Sequence, residues 1–180
     1  FSSPDGTDPA ALAALREAGH IAARAREHGA TLVRAGARLR DVVEAIEDHI
    51  RAGGGQLAFP VQTSVNEVAA HDCPSPDDER TYAASDVVKL DVGVHVDGYV
   101  VDTATTVAVG AATPPPLVLA ARAALEAARQ VAGPDVPIWR LSAAIATTLR
   151  TFGVRPMRNL CGHHVGRYTV HCPPAVPNLP

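Results

Sequence analysis

Between Val87 and Val109 apolar and polar residues alternate with a period of two on both sides of Asp97-Gly98, and this pattern restricts the fold more tightly than any other stretch. Val88, Leu90, Val92, Val94 and Val96 precede the dipeptide, and Tyr99, Val101, Thr103, Thr105 and Val107 follow it. A period of two marks strands, and Asp-Gly suits the two-residue turn whose twist matches that of paired strands. The segment is expected to be an antiparallel hairpin. Such a turn sets Val96 opposite Tyr99, so facing residues have numbers that add to 195: Asp91 faces Ala104, and Asp102 faces Gly93. Asp91 and Asp102 become diagonal neighbours on one face. The other face, with Leu90, Val92, Val94, Val101 and Val107, has to be the buried one, because a slip of one residue would drive both carboxylates into the core.

Two carboxylates side by side repel at neutral pH, and the arrangement is most easily tolerated when a cation bridges them, as oxygen donors do for Mn, Co, Fe or Zn. Gly93, opposite Asp102, is expected to leave room for such an ion. The plainer alternative is a solvated strand face that happens to carry two aspartates.

Around the hairpin the pattern is helical. Asp8 before Pro9 is a capping residue before a first-turn proline, and Leu12, Leu15, Ala22 and Ala25 recur at helical spacing, which predicts a helix to about Val33. Leu39, Val42, Val43, Ile46 and Ile50 predict a second, stopped by Gly53-Gly54-Gly55. Beyond Pro114-Pro115-Pro116, helices are expected over Leu117 to Val131 and from Ile138 until Gly153. A shift of 99 positions lays Leu39, Val42, Ile46 and Ile50 on Ile138, Leu141, Ile145 and Leu149, and Gly54 on Gly153. That match predicts a duplicated helix-helix-strand unit, an α/β (α+β) architecture within one domain over residues 1–180.

With 47% apolar residues, 180 residues can bury a core, and 16 basic against 19 acidic residues without a block of like charge argue against a nucleic-acid or membrane-surface role. No apolar run approaches the roughly 18 residues of a membrane span. Cys73, Cys161 and Cys172 lack C-x-x-C spacing and are expected as free thiols, consistent with a cytoplasmic location. The start at Phe1 reads as cut or processed.

Three imidazoles fall within nine residues of Cys161-Gly162-His163-His164-Val165-Gly166-Arg167-Tyr168-Thr169-Val170-His171. On one straight strand His163 and His171 would lie roughly 26 Å apart. Either the chain curves at Gly166 or the two have different jobs; His164 reads as structural, and His95, on the carboxylate face, as a ligand or a polar edge residue. A third segment, Phe59 to His71, begins strand-like and ends at a histidine to which composition assigns no role, and the run Asp72 to Arg80 reads as a solvated loop. Serine-elbow and phosphate-cradling patterns are absent.

Taken together, Ala58-Phe59-Pro60 leading to Ser64-Val65-Asn66-Glu67 and Ala69-Ala70-His71, then Lys89 to Tyr99 with Asp102-Thr103-Ala104, then Asn159-Leu160 with Gly162-His163, Tyr168 and His171, resemble the type 2 methionine aminopeptidases, most closely the archaeal form. The resemblance runs in order along nearly the whole chain. It implies the pita-bread fold, two related α/β halves around an antiparallel sheet, and a site holding two divalent ions, Co, Mn, Fe, Zn or Ni. Asp91, Asp102 and His163 are implied as metal ligands, His71 and His171 as the catalytic groups that contact the substrate, and Phe59 and Val170 as the lining of a methionine pocket. The implied activity is removal of the initiator methionine from nascent polypeptides with a small second residue, by a cytoplasmic enzyme that is monomeric when complete. The ions of such a site polarise the attacking water.

The family's two remaining ligands are glutamates on later strands, and the only acids after Asp102 are Glu126 and Asp135, both in or beside helices. Both glutamates, and with them the C-terminal part of the fold, are expected beyond Pro180, and residues 1–180 alone are expected to be inactive. Two other readings predict different behaviour: an X-Pro peptidase of the prolidase or aminopeptidase P kind, and a pita-bread binding module without catalysis.

Overall fold

The computed structural model describes residues 8–180; the start at Phe1 lies outside them. The chain divides into two compact units, one of Phe1–Ala112 with Val165–Val170 and the other of Thr113–His164 with His171–Pro180.

The first unit is built on the hairpin. Strands β3 (Val87–Val96) and β4 (Tyr99–Ala108) pair antiparallel, with Asp91 opposite Ala104 and Asp102 opposite Gly93. Asp97 and Gly98 take φ values of 52° and 84°, the doubly positive turn that the dipeptide suits. Two short strands, β1 (Gln56–Leu57) and β2 (Gln62–Val65), pair with the other edge of β3. On the buried face Val88, Leu90, Val92 and Val94 are inaccessible, and Val101 and Val107 pack against the same core.

Helices α1 (Pro9–Leu32) and α2 (Leu39–Ala52) close that face. Asp8 caps α1 by accepting from the Ala10 N–H at 3.0 Å. The stripe that α1 buries includes the expected Ala22 and Ala25 but not the leucines: Ala11, Ala14, Ala18, Ile21 and Gly29 face inward with them, while Leu15 is half-buried and Leu12 stays 38% exposed. Small side chains bring the helix close to its neighbours. A Cβ on Gly29 would stand 2.4 Å from Ile46 Cδ1, so glycine sets how near α1 and α2 can come. Leu39, Val42, Val43, Ile46 and Ile50 of α2 are all buried, as their spacing predicts.

In the second unit α3 (Pro116–Val131) packs on α4 (Ile138–Thr151) through Ala120, Ala124, Ala128, Ser142 and Ala146. Helices α2 and α4 are both 14 residues long and start and stop 99 positions apart. Two bonds at their ends correspond. Gly54 donates to Arg51 O and Gly55 to Ile50 O; Gly153 donates to Arg150 O and Val154 to Leu149 O. Both close on a left-handed glycine, Gly54 at φ 86° and Gly153 at φ 70°. The duplication read from the apolar spacing therefore extends to the backbone.

Strands β5 (Cys161–Gly166) and β6 (Thr169–Pro177) form a two-stranded sheet whose tip, Val165–Val170, belongs to the first unit. Among the described residues no helix is long and apolar enough to cross a membrane.

Candidate metal and substrate site

Asp91 and Asp102 project from the face of the hairpin opposite the core, because the register that buries Leu90, Val92 and Val94 leaves odd positions of β3 and their partners on the other side. Asp91 is half-buried and Asp102 exposed. Gly93, between them on the same face, does not hold open space. A Cβ there would meet the Phe59 ring at 2.2 to 2.7 Å. The aromatic ring thus takes the room expected for an ion and sets an apolar surface beside the two carboxylates. The adjoining backbone is fixed by the Ala58 N–H, which donates to Gly93 O at 3.0 Å.

His71 ends the segment after β2 and sits at φ 67°, a conformation that non-glycine residues adopt only when their surroundings hold them there. Three bonds do so. The His71 N–H donates to Gln62 Oε1 at 3.0 Å, the Thr63 N–H to Asp72 O at 2.8 Å, and the Asp72 N–H to Ser64 Oγ at 3.3 Å. The imidazole is left exposed. Strand β2 is anchored in turn by the buried bond between Thr63 Oγ1 and the Tyr82 hydroxyl at 2.7 Å, and burial pushes the Tyr82 phenol above its ordinary pKa.

The loop after His71 is more than solvated chain. Asp72 and Asp78 both engage the Arg80 guanidinium, and their side chains are only 16% and 8% exposed. Hydrogen bonding to Arg80 holds the Asp78 carboxyl below its ordinary pKa, and the hydrogen bonds to Asp72 and then to Asp78 push the Arg80 pKa up.

His163 and His171 do not lie along one strand. The chain reverses at Arg167-Tyr168, where Tyr168 has φ 55°, and the two rings meet edge to face with centroids 4.4 Å apart. His163 Nδ1 lies 3.2 Å from the His164 carbonyl, and His164 is exposed. Val170, half-buried, belongs to the first unit, while His163 and His171 belong to the second.

The tip of this hairpin docks on the turn of β3–β4, a set of contacts that the sequence did not reveal. Tyr168 donates its N–H to Gly98 O at 2.7 Å and lays its ring where a Gly98 Cβ would stand, within 2.4 Å. Arg167 Nε donates to Asp97 O at 2.9 Å, and its guanidinium lies over the rings of Tyr99 and Tyr168 at 5.3 and 5.7 Å. His95 is a turn residue here. Its Nδ1 accepts from the Gly98 N–H at 3.2 Å, and its ring meets Tyr168 at 5.5 Å.

Hard carboxylate oxygens on an accessible sheet face suit a divalent cation, and Asp91 and Asp102 meet that requirement. Among the described residues no three His, Cys, Asp or Glu side chains gather into one cluster. Cys73, Cys161 and Cys172 are free thiols, and burial, with Glu47 and Asp72 nearby, raises the Cys73 pKa.

Residues 13–180 match the model of metallopeptidase family M24. The chain belongs to that family. It is 44% identical over 165 residues to a methionine aminopeptidase of Pyrococcus abyssi, an alignment covering 92% of this chain and 56% of the relative. A methionine aminopeptidase of Methanothermus fervidus is 36% identical over 177 residues, covering 92% of this chain and 94% of the relative. The chain thus spans about half the length of most of the curated relatives it matches. Among solved structures, the methionine aminopeptidase of Thermotoga maritima superposes with a TM-score of 0.88 at 27% identity, covering 96% of this chain and 72% of that one. A prolidase of Pyrococcus furiosus shares the fold at a TM-score of 0.77 and 21% identity. These neighbours bear out the pita-bread expectation. Membership of this metallopeptidase family implies divalent metal ions.

Proposed function

We propose that this chain supplies part of the catalytic centre of an enzyme that removes the initiator methionine from nascent polypeptides with a small second residue. One observation carries the reading: the paired carboxylates of Asp91 and Asp102 share a sheet face with the Phe59 ring, in a chain 44% identical to a methionine aminopeptidase. Carboxylates beside an apolar wall suit a substrate whose reacting peptide bond lies next to an apolar side chain.

In this reading Asp91, Asp102 and His163 hold divalent ions, two in a complete site, of Co, Mn, Fe, Zn or Ni. The ions supply Lewis-acid chemistry, polarising a water and the scissile carbonyl. Two cations close together repel, and three ligands offer only two anionic groups against that repulsion, so the reading expects two glutamates from elsewhere in the full gene product. His71 and His171 are the catalytic groups: each offers an imidazole that can donate to the substrate or carry a proton. Phe59 and Val170 line the pocket that takes the methionine side chain. The enzyme acts in the cytoplasm, as a monomer when complete, without nucleic-acid or membrane partners.

Two alternatives remain distinct in their consequences. The prolidase and X-Pro aminopeptidase neighbours, at 21% and 22% identity, share the fold alone. A non-catalytic binding module would have little use for the Asp91–Asp102 pair. The test is hydrolysis of Met-Ala-Ser and of an X-Pro peptide by the full gene product with added Mn or Co. Methionine release, with the X-Pro peptide left intact, is expected. Cleavage of the X-Pro peptide alone would establish the prolidase reading, and no cleavage of either would favour the binding module.

A further inference from the structure

Arg80 lies eight residues beyond Asp72 in a loop without secondary structure, yet its main chain is fixed to the core. Its carbonyl accepts from the N–H of Leu39, the buried first residue of α2, at 3.0 Å. The next residue, Thr81, bridges to Arg38, and Tyr82 exchanges backbone bonds with Gly36 and Ala37 at 2.8 and 3.0 Å. From this anchor the guanidinium reaches back to Asp72. Nη1 meets Oδ2 at 2.8 Å and Nη2 meets Oδ1 at 2.9 Å, a two-pronged geometry that a planar guanidinium offers and an ammonium cannot. Asp78 completes the arrangement from the other side, accepting from Arg80 Nε at 2.9 Å and from the Arg80 N–H at 2.8 Å. The guanidinium is therefore held by two carboxylates and cannot swing freely.

Asp72 is the residue through which this rigidity can reach the site. Its main chain bonds β2 in both directions, through Thr63 and Ser64, and it directly follows His71 in its left-handed conformation. The Gln62 side chain holds His71 from the strand side, and Asp72, bonded to Thr63 and Ser64, holds it from the loop side.

We propose that Arg80 is a positioning residue for His71: through its two-pronged pair with Asp72 it holds the exposed imidazole in the place where it meets substrate. The role of His71 rests on the functional reading above, but the mechanical link from Arg80 to the His71 backbone does not. The link has a direct consequence for catalysis. A displacement of about 1 Å in a catalytic group can cost on the order of 100-fold in rate, whereas binding of the methionine side chain depends on other residues.

The experiment compares the full gene product with its Arg80→Met, Arg80→Lys and Asp72→Asn variants in two ways. Amide hydrogen exchange is followed at His71 and Thr63, with Leu90 and Val92 of β3 as core references. Turnover of Met-Ala-Ser is measured in parallel. Arg80→Met is expected to speed exchange at His71 and Thr63 by roughly 10-fold or more without changing the β3 amides, and to lower kcat by roughly 10- to 100-fold while KM moves less than about 2-fold. Asp72→Asn should do the same more mildly, and Arg80→Lys should recover part of the loss. Unchanged exchange at His71 in both Arg80→Met and Asp72→Asn would overturn the proposal, as would equal loss of protection in β3. If no variant, nor the parent, releases methionine, the functional reading fails while the exchange data still decide whether Arg80 holds His71.

Discussion

Replacing Gly93 by alanine tests how the carboxylate face is built. The added methyl would stand 2.2, 2.5 and 2.7 Å from Cε1, Cδ1 and Cζ of Phe59. Carbon atoms in contact sit at roughly 3.5 Å or more, so the ring has to retreat by about 1 Å. The backbone cannot easily give, because Ala58 is bonded to Gly93 O. The ring itself has to rotate, either into its neighbours or toward solvent. Overpacking of this kind costs about 1–3 kcal/mol, and each kcal/mol lowers Tm by roughly 2–4 °C in a chain of this size. Thermal unfolding of the parent, Gly93→Ala, Phe59→Ala and the double variant forms a cycle. The methyl should cost at least about 1 kcal/mol less once the ring is gone, since the two changes share one space. Equal cost in both backgrounds would refute the placement of Phe59 over Gly93, and with it the apolar wall beside the carboxylates.

Gly29→Ala should destabilise the protein by about 1–3 kcal/mol despite the roughly 1 kcal/mol by which alanine favours a helix, because the methyl meets Ile46 at 2.4 Å; Ile46→Val should recover part of the loss in denaturant titrations. Thr63→Val leaves the buried Tyr82 hydroxyl without its partner and should cost about 1–3 kcal/mol, with Tyr82→Phe in the same chain restoring much of it. The Asp78 pKa is lowered by Arg80, so its contribution to stability is complete above the ordinary carboxylate value of 3.8 and is lost as pH falls through the depressed folded-state value. The difference in denaturation midpoint between the parent and Asp78→Asn should therefore be constant at higher pH and shrink only below 3.8; a difference independent of pH would contradict the pairing.

What could be read from the sequence followed from strong local periodicity. The Asp-Gly turn and the alternation around it fixed all ten residue pairs of β3 and β4 and the face on which Asp91 and Asp102 stand. The 99-residue shift found the end of α4 from that of α2, because each helix needs its own glycine stop. Packing between elements was less legible. Of the pattern that marks α1, Ala22 and Ala25 are buried and Leu12 is not, because close approach favours the alanine stripe, which hydrophobicity alone ranks lower. The space at Gly93 was assigned to an ion because the ring that fills it comes from a loop 34 positions earlier. For His163 and His171 the sequence left open whether the chain curves at Gly166; it reverses just beyond, at Arg167-Tyr168, where no Asp-Gly or Asn-Gly marks the turn. The Arg80 clamp joins residues whose spacing carries no period at all.

The claim on which the functional reading depends is that the two hairpin carboxylates hold a divalent ion while His171 serves the substrate. Calorimetric titration of the full gene product with Mn, beside its Asp91→Asn, Asp102→Asn, His163→Ala and His171→Ala variants, addresses it directly. The first three should each weaken binding by roughly 10-fold or more, in line with loss of a direct ligand, and His171→Ala should bind as the parent does although its ring lies 4.4 Å from that of His163. Binding undiminished in both aspartate variants would contradict the account at its centre, and equal loss in the two histidine variants would make His171 a ligand.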